Sequence, residues 1–275
     1  MNLDFSNDQK FLQEEARKFL EKENSINRNR GVLDSDHNTD AELWNKIVDL
    51  GWTGIRIPEE YGGLGLTHLE LCVIAEELGR FLAPVPFSSS VYLFTEAIIK
   101  YASEDIKQEI LPKLISGEVI GTLAVTEEFC APTASNMKTE VNNNLISGKK
   151  IAVPDAGIAT HSIIVVKSGS GISLQLINHS SDEVVISHQE NIDESRGHFS
   201  ITLDNTPCKL IGDTSNGWDL FESLMDQAAV LFSFEQLGGS QASLDMAVGY
   251  AKERYAFGRP IGSFQAIKHK LADMY

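Results

Sequence analysis

The sequence predicts an α+β fold: an N-terminal helical domain, a middle β-sandwich or barrel domain, and a C-terminal helical bundle. Three observations carry this. From Leu12 onward apolar residues recur at helical spacing, as at Leu12, Ala16, Phe19 and Leu20. Near Gly121 the texture changes to short β-branched runs, most of them separated by Gly, Asn, Ser or Asp. From about Gly217 the helical period returns, with Leu237, Leu244 and Val248 at i, i+7 and i+11. Segregated blocks of one kind argue against an alternating βαβ sheet. The boundaries read as 1–120, 121–212 and 213–275.

Each element has its own signal. Thr39 with Glu42 has capping-box spacing ahead of Leu43, Trp44, Ile47 and Val48. Thr67 with Glu70 repeats the device, opening a helix with Leu71, Ile74, Ala75 and Leu78 on one side and a close near Gly79. Between them, Gly62, Gly63 and Gly65 do not match G-x-G-x-x-G, and no clear strand precedes them. They read as a tight loop feeding a capped helix. The strand candidates are "GTLAVTEE", "NLISGKKIAV", "HSIIVVKSG", "GISLQLIN", "DEVVIS" and "HFSITLDN", in which Phe199, Ile201 and Leu203 alternate with polar residues. Short strands at close spacing are the mark of a sandwich or barrel. The tail, "YAKERYAFGRPIGSFQAIKHKLADMY", reads as a helix, a short turn and a second helix. Its apolar pattern is still running at Tyr275, so the bundle reads as truncated there or completed by another chain.

Composition narrows the function. Of the 275 residues 42% are hydrophobic and 23% charged, an ordinary soluble globular balance. A formal net charge of -16 repels nucleic acid and anionic membrane. No apolar run approaches the ~20 residues a spanning helix needs, and the first residues lack the basic and apolar regions of a secretory signal. Cys72, Cys130 and Cys208 are odd in number and widely spaced, which predicts reduced thiols and a cytoplasmic location. None of His37, His68, His161, His179, His188, His198 and His269 forms H-E-x-x-H or joins a ligand cluster, so no metal is expected. There is no G-x-S-x-G elbow and no Walker A motif. The pairs Glu59–Glu60, Glu76–Glu77 and Glu127–Glu128 read as solvated faces.

One local feature runs against the acidic balance. Lys252, Arg254, Arg259, Lys268 and Lys270 gather around Phe257–Gly258. Arg matches phosphate oxygens bidentately, so Arg254 and Arg259 suggest a bound anion, and Phe257 a face on which a base stacks. The alternative is a set of surface charges around a core Phe, and spacing does not separate the two.

The tail resembles the flavin-dependent acyl-CoA dehydrogenase family, which carries R-x-x-F-G…F-Q…L-A-(D/E)-M in its C-terminal helices. Here the pattern stands as Arg254, Phe257–Gly258, Phe264–Gln265 and Leu271–Ala272–Asp273–Met274. "IPEEYGGLGLTHLELCVIAEELGR", "LPKLISGEVIGTLAVTEE" and "GKKIAVPDAGIATHSIIVVK" are similar to three further family stretches in the same order, so the resemblance covers essentially the whole chain. It implies FAD as cofactor. It also implies that Arg254, Phe257 and Gln265 hold the pyrophosphate and adenine end of an FAD bound mainly to the neighbouring subunit. Thr126 and Val125 are implied on the chain's own flavin face, Thr126 at the pyrimidine edge.

The sequence departs from the family at that face. The usual T-E-P-x-A-G-S-D is here Thr126, Glu127, Glu128, Phe129, Cys130, Ala131, Pro132, Thr133, with Pro132 at the phosphate-facing Ser. The usual K-x-W-I-T-N is Lys150, Ile151, Ala152, Val153, Pro154, Asp155, with Ala152 at the flanking Trp and Pro154 at the Thr near flavin N5. The catalytic Glu is expected in a C-terminal segment outside this chain, and its alternative position is Ala228. Asp226 and Glu235, nearby in sequence, read as structural or solvated.

Two functions follow from the resemblance. One is FAD-dependent α,β-dehydrogenation of an acyl-CoA thioester from a fatty acid or steroid side chain, with electrons passed to an electron-transfer flavoprotein. The chain would act as a homo-oligomer or in a heterotetramer with a second acyl-CoA dehydrogenase subunit. The other is a non-catalytic partner subunit that only clamps the FAD of its companion, and the lost Ser, Trp and Thr favour it.

Overall fold

The computed structural model describes residues 4–33, 35, 38–169 and 171–275; His37 lies outside them. Two compact units emerge. The first joins Met1–Ile26, Cys72–Ala83 and Phe232–Tyr275, and the second joins Asn27–Leu71 and Pro84–Leu231.

In the first unit, α1 (Asn7–Glu23) opens on a capping box. Ser6 Oγ accepts from the Gln9 amide at 3.2 Å, and Gln9 Oε1 accepts from the Ser6 amide at 2.9 Å. Its apolar stripe buries Ala16 and Leu20. The helix α4 (His68–Arg80) enters this unit at Cys72 and buries Val73, Ile74, Ala75 and Leu78. Arg17 grips the buried Glu77 with two bonds, Nε at 3.0 Å and Nη2 at 2.6 Å. As expected, α4 closes near Gly79: it ends at Arg80, and the chain turns at Leu82, φ 49°. Gly79 serves a closer need. A Cβ there would lie 1.8 Å from the Glu235 carbonyl oxygen, and one on Gly238 would lie 1.8 Å from that of Glu76. Two helices, α4 and the long α7 (Gly217–Glu253), touch backbone to backbone at these glycines.

The second unit begins with α2 (Ile26–Leu33) and α3 (Ala41–Asp49). Asp40, not Thr39, caps α3, accepting from the Leu43 amide at 2.9 Å, while Arg28 holds the same carboxylate. A carboxylate that answers both a helix N-terminus and a guanidinium outcompetes a neighbouring hydroxyl. The Gly62–Gly65 loop is tight, as expected: Gly62 has φ 89°, Gly65 φ 60°, and a Cβ on Gly63 would lie 2.0 Å from the Ile57 carbonyl oxygen. It delivers the start of α4, where Glu70 reaches back to the Thr67 amide at 2.9 Å. A buried π-helical stretch, Ser88–Thr95, leads into α5 (Glu96–Tyr101) and α6 (Glu104–Ile115).

The strands form one sheet in the order β6-β7-β3-β2-β4-β5-β8, with β1 parallel to β4. They are β1 (Gly121–Ala124), β2 (Glu140–Asn142), β3 (Leu145–Pro154), β4 (His161–Ser168), β5 (Gly171–Asn178), β6 (Val184–Gln189), β7 (His198–Pro207) and β8 (Lys209–Ile211). Phe199, Ile201 and Leu203 of β7 share one core cluster with Ile164 and Val166 of β4 and Ile177 of β5. Strands β7 and β5 stand four ladder steps apart, about 19 Å in a flat sheet. One cluster thus draws on strands from both halves of this order, which gives the predicted middle β domain a shared core. Strands β2 and β8, three residues each, are too short to leave a period in the sequence.

Lys150 sits inside this sheet with no exposed surface. Its Nζ donates to Glu127 Oε1 at 2.7 Å and to the Val125 carbonyl at 3.1 Å. Glu127 also accepts from the Lys138 and Thr139 amides, at 2.6 and 3.0 Å. Burial pulls the Lys150 ammonium down to about 8, against the opposing pull of Glu127.

Two predictions follow. Gly238→Ala places a methyl against backbone and should cost about 3 kcal/mol or more in urea unfolding. Gly249→Ala, with nothing within 4 Å of its added carbon, should gain about 0.5–1 kcal/mol by helix propensity. Equal midpoints for the two variants would refute the close crossing. For Lys150, the unfolded chain binds more protons than the folded one between about 8 and the ordinary 10.5, so stability should rise with pH across that window. Relative to Lys150→Met, the wild type should gain roughly 1–3 kcal/mol there, and parallel stability curves would show that the buried ammonium is not depressed.

Candidate functional site

The tail turn is a hairpin. Helix α7 ends at Glu253, and β9 (Tyr255–Ala256) pairs with β10 (Arg259–Pro260). Phe257 and Gly258 form the tip, with φ 53° and 78°. The Ile261 amide donates to the Arg254 carbonyl at 2.8 Å, closing the hairpin base. A short 3₁₀ turn, Ile261–Ser263, then leads into α8 (Gln265–Met274). Gly262 passes close under α7: a Cβ there would lie 2.9 Å from the Ala251 carbonyl oxygen.

This arrangement brings Arg254, Phe257 and Gln265 into one exposed segment of the first unit. The Phe257 ring is 95% exposed, and Arg254 and Gln265 are exposed beside it in sequence. Among the described residues, Lys252, Arg254, Arg259, Lys268 and Lys270 form no ion pair. The reading of Phe257 as a core residue fails on its exposure. The segment carries an exposed aromatic face and several uncompensated cations, a combination suited to an anion that carries a flat ring.

Val125 and Thr126 lie in the second unit, half-buried just beyond β1. The Ile151 amide donates to the Thr126 carbonyl at 2.8 Å, and the Lys150–Glu127 pair locks the neighbouring backbone. The end of β3 is irregular. Its register against β7 shifts between Lys150 and Val153, and Ala152 there has φ 51°. Ala152 is exposed, and its amide donates to Gln189 Oε1 at 2.7 Å. The Pro154 carbonyl accepts from Thr122 Oγ1 at 2.6 Å. Asp155 is buried, φ 55°, and accepts from Ser89 Oγ at 2.5 Å. Burial pushes its carboxyl up, and the Ser89 bond opposes that. Arg196 donates to Ser88, the residue before Ser89 in the π-helical stretch. The turn that carries Phe129, Cys130 and Ala131 is exposed.

Ala228 is fully buried on α7 in the second unit and offers no proton acceptor. Asp226 is exposed and Glu235 half-buried. The sequence neighbour of Ala228, Gln227, belongs to a network that spacing did not reveal. The fully buried Glu96 accepts from Arg56 Nε at 3.0 Å and from Gln227 Nε2 at 2.8 Å, with His68 Nε2 at 3.3 Å. Its lone signal in the sequence is a carboxylate inside the apolar run "LFTEAII". With both oxygens engaged and no exposed surface, Glu96 is a structural anion. Among the described residues no group of three His, Cys, Asp or Glu stands close enough to hold a metal ion, and no helix is long and apolar enough to cross a membrane.

Comparison with known proteins agrees with this layout. The family described as acyl-CoA dehydrogenase, N-terminal domain, matches residues 6–118, and acyl-CoA dehydrogenase, C-terminal domain, matches residues 215–275. Probable acyl-CoA dehydrogenase YngJ of Bacillus subtilis (strain 168) is 28% identical across 100% of this chain and 76% of its own length. The mitochondrial isovaleryl-CoA dehydrogenase of Oryza sativa subsp. japonica is 29% identical across 98% of this chain and 70% of its own length. A solved structure named Tcur3481-Tcur3483 steroid ACAD G363A variant superposes with a TM-score of 0.86 at 29% identity, covering 97% of this chain and 72% of that one. With its N-terminal and C-terminal parts matching these two models, the chain belongs to the acyl-CoA dehydrogenase family, whose members are FAD flavoproteins.

Proposed function

We propose that this chain is the clamping subunit of a heteromeric acyl-CoA dehydrogenase, holding the FAD of a companion chain rather than a flavin of its own. The observation that carries this is the tail hairpin: Phe257 is 95% exposed at φ 53°, among cations without acid partners. A bulky residue held at positive φ costs on the order of 1–3 kcal/mol, a strain that clusters at ligand clamps. The fork of Arg254 suits a pyrophosphate, the Phe257 face an adenine, and the Gln265 amide supplies both a donor and an acceptor.

The chain's own half-site fits the cofactor poorly. Pro132 and Pro154 bring neither a hydroxyl nor an amide N–H. The exposed Ala152 amide is already bonded to Gln189, and Asp155 to Ser89. Ala228 is buried and cannot take a proton. FAD supplies a hydride acceptor when bound, and on this reading both the flavin pocket and the α-proton base belong to the companion. The substrate class is an acyl-CoA thioester, from a fatty acid or a steroid side chain, with electrons leaving to an electron-transfer flavoprotein. A similar structure named for two chains and a steroid substrate supports the heteromer. The division into 1–120, 121–212 and 213–275 and a cytoplasmic location go with this proposal.

Thr126, still bonded through its backbone to Ile151, favours a second reading, a self-sufficient homo-oligomeric dehydrogenase. Absorbance separates the two. The chain purified alone should be colourless and should turn yellow only when co-expressed with its companion, one FAD being shared by the two chains. Arg254→Ala should then speed FAD loss about tenfold or more, since a charge-assisted bond contributes ~1.5–3 kcal/mol. A chain that is yellow by itself and bleached by an acyl-CoA would establish the homo-oligomeric enzyme instead.

A further inference from the structure

Phe257 occupies the first of two left-handed positions in a two-residue hairpin turn. Asn or Gly is preferred there, and a bulky ring is an outlier. One ring meets it, and a cation in turn lies over that second ring. Phe264 meets it edge-to-face, with centroids 6.2 Å apart and planes at 86°. Arg259 in turn lies over Phe264, its Cζ 4.1 Å from the ring centroid. The Arg259 backbone is fixed by its pairing with Ala256 at the base of the turn. Its guanidinium has no acid partner among the described residues.

We propose that Arg259 is a positioning residue: by stacking on Phe264 it fixes the surface against which Phe257 leans, and so holds the exposed Phe257 ring ready to stack on the adenine of a companion's FAD. The inference rests on the clamp reading above. A cation over a ring is attracted by the ring's negative face, and the second face contact would be lost if Phe264 were free to turn. Fixing a rotor before binding removes the cost of ordering it on binding. An exposed cation–π contact corresponds to a change in ligand retention of about 2- to 5-fold.

The test is FAD release, followed by flavin fluorescence, from the holoprotein assembled with its companion. Arg259→Leu and Phe264→Leu should each release FAD about 2- to 5-fold faster, the double variant no faster than either, and Arg259→Lys close to wild type. Additive effects in the double variant would mean that Arg259 meets the ligand directly, which overturns positioning. If Arg254→Ala accelerates release and Arg259→Leu does not, Arg259 has no part and the clamp stands. If neither does, the clamp reading falls and this inference with it. A second measurement needs no assembly. In the free full chain, NMR cross-peaks between the Phe257 and Phe264 rings should vanish in Arg259→Leu and persist in Arg259→Lys; persistence in both refutes the proposal.

Discussion

A buried ammonium has to be answered, and in the central sheet the answer is Glu127. Lys150 has no exposed surface, and its bond to Glu127 is 2.7 Å. Taking two ions out of water costs several kcal/mol for each, which is recovered only with good geometry and with the remaining oxygens satisfied. The sheet meets that demand by bringing three pieces of backbone to the pair: Val125 beyond β1, the returning Lys138–Thr139 segment, and β3 itself. The flavin-facing edge implied by the family is built on these strands. Thr126 adjoins Glu127 in the chain, Ala152 lies two residues after Lys150, and the Ile151 amide ties the two segments together through the Thr126 carbonyl.

The edge keeps its frame, and several of its polar groups are engaged within the chain. The backbone bond from Ile151 to Thr126 is intact, while the amide of Ala152 is bonded within the chain and two prolines stand nearby. Burial likewise engages Asp155 with Ser89 and Glu96 with Arg56 and Gln227. Each of these groups is satisfied by its own fold, which makes it a poor acceptor for anything arriving from outside.

The tail is the reverse case. Its frame is set by close backbone approaches, Gly79 and Gly238 where two helices touch, and Gly262 under α7. What it presents is unsatisfied: five cations without acid partners among the described residues, and an aromatic ring almost wholly exposed. Rigid support beneath and unused chemistry on top is the arrangement expected of a surface whose partner lies on another molecule.

Much of this was legible in the sequence, because local periods report which face of an element is apolar. Leu71, Ile74, Ala75 and Leu78 are buried as their spacing requires, and the alternation of Phe199, Ile201 and Leu203 predicted one face of β7. The family resemblance also pointed to Arg254, Phe257 and Gln265, and the fold leaves all three exposed in one segment. Other features were decided by tertiary structure alone. The sequence near Gly79 reads as a helix stop, and α4 does end at Arg80, but only the fold reveals that the glycine also admits another backbone. Thr39 has the right spacing for a cap, yet Asp40 takes the place because Arg28 is there to share it. Lys150 and Glu127, Glu96 and Gln227, Arg259 and Phe264 are likewise assigned to one another only in the folded chain. The physical reason is common to all of them. Spacing along the chain determines which residues turn inward, but the partner a buried charge, a glycine or a ring will meet depends on which distant segment arrives within a few ångströms of it.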